Sequence, residues 1–409
     1  MKLFVLYLTS LDRRRVNAET TPYLASALEF FPWAEMSNYP GSDLLPTILT
    51  GVYPQQHGIY GVRLKEESTL RPLGWELLPD FVTTTAQFLR HFVSREFDLA
   101  AIPPARRRRF KITRSKYRRF KHPHDVLGTI GGVVSLLGLI GEKESRYQFR
   151  SPNDPIRSVL PGIGCGEYAL DWLELYTLNR TQQWHMHRPD RIRKCYALMD
   201  RFIERLHQKC KSSGVTLVLL SDHGFETVKE SINLESHLRE LGLFQDEYTH
   251  FLEVSIVRFW FHSDRARQRI TELLDSLDRV HVFSRSEMHE LHLGFSDGSY
   301  GELFGVADLG VIFYPHDFYQ PLANLFLGLT DRKQFPRIFD GRQRGNCGYL
   351  PQHLSEKGTM MVMDDSYFAS HKTMELIDVA PSLLALLGRP PLETMHGKPI
   401  FAPARRARV

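Results

Sequence analysis

The chain has 409 residues, 42% hydrophobic and 24% charged, with a formal net charge of +5. That balance excludes a disordered or fibrous chain, and the length calls for one large α/β domain with insertions or for two domains. Four scattered cysteines, Cys165, Cys195, Cys210 and Cys347, lack disulfide-type or metal-type spacing, which predicts a reducing compartment.

The first element is the apolar run "LFVLYL" at 3–8. It is too short for a signal peptide, lacks a small-residue cleavage site and has its arginines on the wrong side, so it reads as a buried strand and the cytoplasm is the expected location. Asp12 stands just past its end. The stretch "YPGSDLLPTILTGVYPQQHGIYG" follows at 39–61. Read as plain structure, Ser42 is the N-cap of a helix that Gly51 ends. Read as chemistry, Ser42 is a nucleophile, provided the rest of the chain supplies its partners.

Between Arg106 and Lys121 the chain carries ten basic residues and no acidic one. Subtracting those ten from the net +5 leaves −5, so the basicity belongs to one insertion, placed at 88–150, and nucleic acid is not the expected partner. The next stretch, "DVLGTIGGVVSLLGLIGE" at 125–142, is uncharged between its ends but shorter than the roughly 20 residues that span a bilayer. It rests on a membrane surface, covers a site, or packs as a core helix hairpin. The membrane reading makes 106–141 a contact segment for an anionic surface.

Further buried strands are "VTLVLLS" (215–221), "SIVRFWF" (255–261) and "TMMVM" (359–363). Amphipathic helices are predicted at 189–210, 264–277 and 375–388, the first with Ile192, Tyr196, Met199, Ile203 and Leu206 at helical spacing. Strands alternating with helices give an α/β class with a mainly parallel central sheet covered on both faces. Ligands of such sheets gather at the carboxyl ends of strands. There "LLSDHG" sets Asp222 beside His223, a carboxylate and an imidazole that both suit Zn²⁺.

With these segments in order, the sequence resembles the alkaline phosphatase superfamily, most closely its type I phosphodiesterase and nucleotide pyrophosphatase branch. "YLTSLD" with "TTPYLASAL" resembles the first metal-bearing strand and the helix after it, and "PTILTGVYPQQHGIYG" a Thr-Gly-x-x-Pro-x-x-His-Gly signature. "LLSDHG" resembles the paired metal ligands, "GELFGVADLGVIFYP" a late hairpin, and "ELIDVAPSLLALLGRPPLETMHGKPI" the C-terminal Asp-x-x-Pro segment. Residues 62 to 165 match no part of the pattern. The resemblance implies one alkaline phosphatase-like domain over 1–409 and a Ser or Thr nucleophile that is also a metal ligand at a helix start. Ser42 takes that role one residue out of the branch's register, with Thr47 as the fallback.

The same resemblance implies that Asp12, Ser42, Asp222 and His223 hold a divalent ion, zinc or alternatively manganese. Two-metal members add an Asp and a His four residues apart and a later His in a His-Gly-Tyr sequence. Here the positions four before His185 and His187 are Thr181 and Gln183, and Cys347 stands in the His-Gly-Tyr place. The expectation is either a rearranged second site built from His353 with His185 or His187, or a single ion. The implied activity is metal-dependent hydrolysis of a phosphate ester, a diester or pyrophosphate before a monoester, through a covalent phospho-enzyme. Phospho-group transfer and sulfatase-like hydrolysis stay open on the same parts. A non-catalytic binding protein with a degenerate metal site is the rival of a different class.

Overall fold

Strands whose every residue is apolar must be covered on both faces, and alternate side chains of one strand here enter two separate cores. In β1 (Leu3–Leu8), Leu3, Val5 and Tyr7 join one core while Phe4, Leu6 and Leu8 join the other. β5 (Thr216–Ser221) divides the same way, with Val218 and Leu220 on the first side and Leu217 and Leu219 on the second. The computed structural model describes residues 1–41, 43–61, 63–65, 82, 85, 110–112, 123–150, 156–244, 246–319, 321–330 and 332–404. The basic residues 106–109 and 113–121, and Ser42, lie outside them.

The central sheet has seven strands in the order β11-β2-β10-β5-β1-β4-β3. The others are β2 (Trp33–Ser37), β3 (Ser145–Arg150), β4 (Leu170–Leu175), β10 (Gly358–Val362) and β11 (Thr373–Glu375). β10 alone runs against its neighbours, pairing antiparallel with both β2 and β5. On one face lie α1 (Pro22–Phe30) and the long α5 (Pro189–Ser212). Ile192, Tyr196, Met199, Ile203 and Leu206 of α5 are buried there, as the helical spacing predicts. The other face is covered by α2 (Leu45–Thr50) and α8 (Val379–Leu386), the latter shorter than its apolar run because Leu376–Asp378 winds as a 3-10 turn.

One segment differs from expectation, and a second takes one of its stated alternatives. "SIVRFWF" is a buried strand, β7 (Ile256–Phe261), but belongs to a separate four-stranded antiparallel sheet, β6-β7-β9-β8. Its companions are β6 (Tyr248–Leu252), β8 (Val280–Ser284) and β9 (Leu303–Ala307), covered by α6 (Asp264–Asp275). A continuous apolar run records burial on both faces and says nothing of which sheet provides it. The apolar stretch 125–142 packs inward. Leu127, Leu136, Leu137 and Ile140 are buried in the core that holds α2. Those four side chains face protein, while Val134 in the same stretch is exposed.

Candidate active site

Parallel pairing sets the ends of β1, β4 and β5 side by side, with Leu8 opposite Leu175 and Tyr7 opposite Leu220. β10 runs the other way and so begins at this edge, with Thr359 opposite Ser221. The residues that follow β1, β2, β4 and β5, and those that precede β10, converge on one rim of the sheet.

Asp222 is buried there with both carboxylate oxygens in use. Oδ2 accepts from the Tyr7 hydroxyl at 2.6 Å, and Oδ1 accepts from the backbone N–H of Ser10 and of His223, each at 3.0 Å. His223 donates from Nδ1 to the Gly224 carbonyl at 2.6 Å, while its Nε2 lies 3.5 Å from Asp222 Oδ2. Burial opposes a charge on this ring. Asp222, Cys347 and Glu356 together outweigh it and hold the His223 pKa well above the ordinary imidazole value. Glu356, buried just before β10, accepts from the Gly348 N–H at 2.8 Å, and burial pushes its pKa up to about 7. The Cys347 thiol is raised by burial and lowered in part by His223.

The loop that carries Ser42 abuts this group. Gly348 has φ +84°, and a Cβ there would stand 3.2 Å from the Gly41 carbonyl and 3.3 Å from Ser255 Oγ. Asn38 donates to the Asp222 carbonyl at 3.3 Å, and Asp43 is fully buried. Ser42 itself lies outside the described residues, so its hydroxyl has no stated position. It is not the N-cap of α2: that helix starts at Leu45, and Leu44 occupies the cap position without a side-chain bond.

Thr47, which lines the cavity beside this loop, is held in a hydrogen-bond chain. Its hydroxyl, fully buried, lies 2.7 Å from the Tyr39 hydroxyl and 2.9 Å from His57 Nε2. The Ile59 N–H donates to His57 Nδ1 at 3.2 Å, which leaves the ring proton on Nε2 to donate to Thr47. Burial lowers the His57 pKa to about 3, so the ring is neutral. Gly51 ends α2 in the left-handed region at φ 67°, and its carbonyl accepts from the His396 N–H at 2.9 Å. The Thr-Gly-x-x-Pro-x-x-His-Gly pattern is thus a clasp that ties the first turn of α2 to His57 and its end, at Gly51, to the C-terminal segment.

Of the remaining candidates Asp12 lies at the rim, where a Cβ on Gly224 would stand 2.6 Å from its Cγ, but among the described residues the candidates form no three-ligand group. Asp12 is buried in a paired contact with Arg14, whose Nε and Nη2 donate to its two oxygens at 3.0 and 2.7 Å, with Arg15 at 3.7 Å. His185 ends α4 (Thr177–His185), and His187 follows it. Burial, Arg191 and Arg188 lower the His185 pKa to about 4, and burial and Arg344 lower that of His187. Both stand among cations. His353 is half-buried at the start of the 3-10 turn Leu354–Glu356. Among the described residues no three His, Cys, Asp or Glu side chains are grouped to hold a metal ion. The donors present do not fit a zinc or manganese site as they stand: the Asp12 oxygens face guanidinium groups, those of Asp222 already accept three hydrogen bonds, and His223 Nδ1 is engaged with a carbonyl.

Tyr7, Ser10, Asn38 and Glu356 belong to the site and were not singled out by sequence. Tyr7 offers one weak signal, a hydroxyl near the end of an otherwise apolar strand. Glu356 offers none, because its role depends on Gly348 and His223. Beside the loop lies a cavity of 410 Å³, lined among others by Ser37, Asn38, Tyr39, Tyr53, His292 and Lys357. That is within the usual size range of small-molecule sites. The Tyr53 and His292 rings stack at 3.8 Å on its wall, and Lys357 Nζ donates to Ser37 Oγ at 3.1 Å.

The model of the family described as type I phosphodiesterase / nucleotide pyrophosphatase matches residues 168–320, the segment that holds Asp222 and His223. Over that segment the chain is similar to this family. Solved structures of the branch agree in fold. Human ectonucleotide pyrophosphatase / phosphodiesterase 5 superposes with a TM-score of 0.63 at 13% identity, covering 97% of each chain. The murine protein gives 0.60 at 14% identity and 96% coverage of each chain. An inactive variant of the murine protein in complex with AMP gives 0.62 at 14% identity, again with 96% of each chain covered. No curated protein matches the sequence.

Proposed function

We propose that this chain, similar over 168–320 to the phosphodiesterase family, hydrolyses a phosphodiester or pyrophosphate at the rim formed by the ends of β1 and β5, with Ser42 as nucleophile. The observation that carries the reading is the packing of the Gly41–Asp43 loop against the Cys347–Gly348 turn and, through Asn38, against Asp222, with a 410 Å³ cavity alongside. Attack of the Ser42 oxygen on phosphorus forms the Ser–O–P bond as the bond to the leaving oxygen breaks. The leaving group departs with a proton, and water then cleaves the Ser–O–P ester to restore the hydroxyl. His223, held cationic by Asp222 and its neighbours, supplies positive charge beside the site where phosphoryl oxygens gain negative charge. No step runs through a metal, since the donors do not fit one. The murine neighbour in complex with AMP makes a nucleotide the first substrate class to try.

A second reading, a binding protein that retains the fold, is favoured by the Asp12–Arg14 pair and by Cys347 in the place of an expected histidine. One experiment separates the two. The purified chain and Ser42→Ala are assayed on chromogenic phosphodiesters, monoesters and sulfate esters, with and without added zinc or manganese. Turnover of diesters that Ser42→Ala abolishes supports hydrolysis. Turnover retained in the variant removes Ser42 from the mechanism, and no turnover of any ester under either condition leaves the binding protein.

A further inference from the structure

Beside His187, just past the end of α4, lies a second cavity of 530 Å³ that the proposed reaction does not use. Its walls carry Arg188, Arg191, Arg332 and Arg344 against one acidic residue, Asp340. Asp340 is already engaged, at 2.8 Å from Arg342 and 3.0 Å from Arg344. Arg188, Arg191 and Arg332 form no ion pair among the described residues. Burial, and after it the surrounding arginines, lower the pKa values of His185 and His187.

The rim of this cavity is apolar. It is built by α7 (Pro321–Thr330) and the 3-10 turn Phe335–Ile338. Leu329 is 63% exposed, Phe335 50% and Phe339 79%. With Leu325, these make four of the ten large hydrophobic side chains exposed among the described residues, all within the stretch 325–339. Single exposed apolar residues need no explanation, but a cluster beside a basic pocket marks a contact surface. The hairpin is held in place from below. Arg337 lies 5.2 Å over the Trp184 ring, and donates to Gln334 Oε1 at 2.8 Å and to the Phe318 carbonyl at 3.2 Å.

We propose that this face docks the protein on an anionic membrane surface, with the cavity arginines holding lipid phosphates while Leu329, Phe335 and Phe339 enter the interface. Charge and apolarity together select this occupant. A soluble anion satisfies the arginines and leaves the aromatic rim in water. A second copy packed face to face opposes each arginine cluster with its like. A lipid leaflet offers negative headgroups and an apolar layer at the same place. This contact needs neither residues 106–121 nor the stretch 125–142.

The test is sedimentation of the full chain with phosphatidylcholine vesicles, with and without phosphatidylglycerol. Two double variants are compared, Arg188→Glu with Arg332→Glu, and Phe335→Ser with Phe339→Ser. Their folding is checked by thermal melting. Each arginine near an anionic leaflet contributes roughly fivefold in partitioning, so the charge reversal lowers association with the anionic vesicles by about 25-fold or more. The aromatic variant lowers it as well, high salt suppresses it, and pure phosphatidylcholine binds little. The proposal is overturned if the unaltered chain ignores anionic vesicles at low salt, or if folded charge-reversed protein binds them as before. Saturable binding of inorganic phosphate without vesicle association also overturns it and assigns the pocket to a soluble anion.

Discussion

The rim around Asp222 and the face around Arg188 treat charge in opposite ways. At the rim three carboxylates are buried and answered within the fold: Asp222 by Tyr7 and two backbone amides, Glu356 by Gly348, Asp12 by Arg14. On the outer face, Arg188 and Arg332 stand exposed beside bare phenylalanine rings. Buried and satisfied groups are held in one arrangement before any ligand arrives, as chemistry on a small reacting centre requires. Exposed and unanswered groups are completed only by something outside the chain. The first region is built for positioning, the second for association.

The largest effect that would break or sharpen this contrast is expected at the nucleophile. Ser42→Ala should lower diester turnover by about three orders of magnitude or more and leave vesicle binding unchanged. A parallel loss of both would show that the two regions are not independent. Asp222→Ala is next. It removes the acceptor of the 2.6 Å Tyr7 hydrogen bond and the foremost charge partner of His223, which should cost about 3–5 kcal/mol in urea denaturation. A loss below 1 kcal/mol would mean that the rim is less tightly ordered than its hydrogen bonds imply.

A third expectation concerns pH. His57 has a folded pKa of about 3, below the ordinary imidazole value of 6.5, so on acidification the unfolded chain takes up the proton first. The contribution to stability is complete above pH 6.5 and is lost progressively as pH falls from 6.5 to 3. Between pH 7 and pH 5 the loss from this group is about 2 kcal/mol. Denaturation curves of His57→Gln should lack that part of the pH slope, and an unchanged slope would show that the ring is not sealed.

The smallest effects are expected at two residues that the motif pattern favours for chemistry. Asp12→Asn weakens the Arg14 pair and should cost about 1–3 kcal/mol of stability while turnover stays within a few-fold. If turnover and bound zinc disappear together, Asp12 is a metal ligand and the Arg14 contact is what a bound ion displaces. Thr47→Val removes one hydroxyl from the Tyr39–His57 chain. It should cost about 1 kcal/mol and leave the rate of ester cleavage nearly untouched.

How much of this was legible in the sequence follows from what each signal encodes. Apolar runs and helical spacing record burial and local period, so β1, β5, β10 and α5 were readable within a residue or two, as was the α/β class. The adjacency of Asp222 and His223 at a strand end is likewise local. Burial on both sides does not specify the covering partner, which is why "SIVRFWF" proved to be part of a second sheet and 125–142 part of the core. The pairing of distant groups was decided only in three dimensions. Cys347 and Gly348 come to lie beside Gly41, Glu356 beside His223, and Cys165 at 3.8 Å from Cys210. His185 and His187 show the same limit from the other side. Their residue type suits a metal, but their chemistry is set by Arg188 and Arg191 nearby in sequence and by Arg344 more than 150 residues away. Electrostatic environment is a sum over neighbours in space, and the linear chain states only those within a turn of helix.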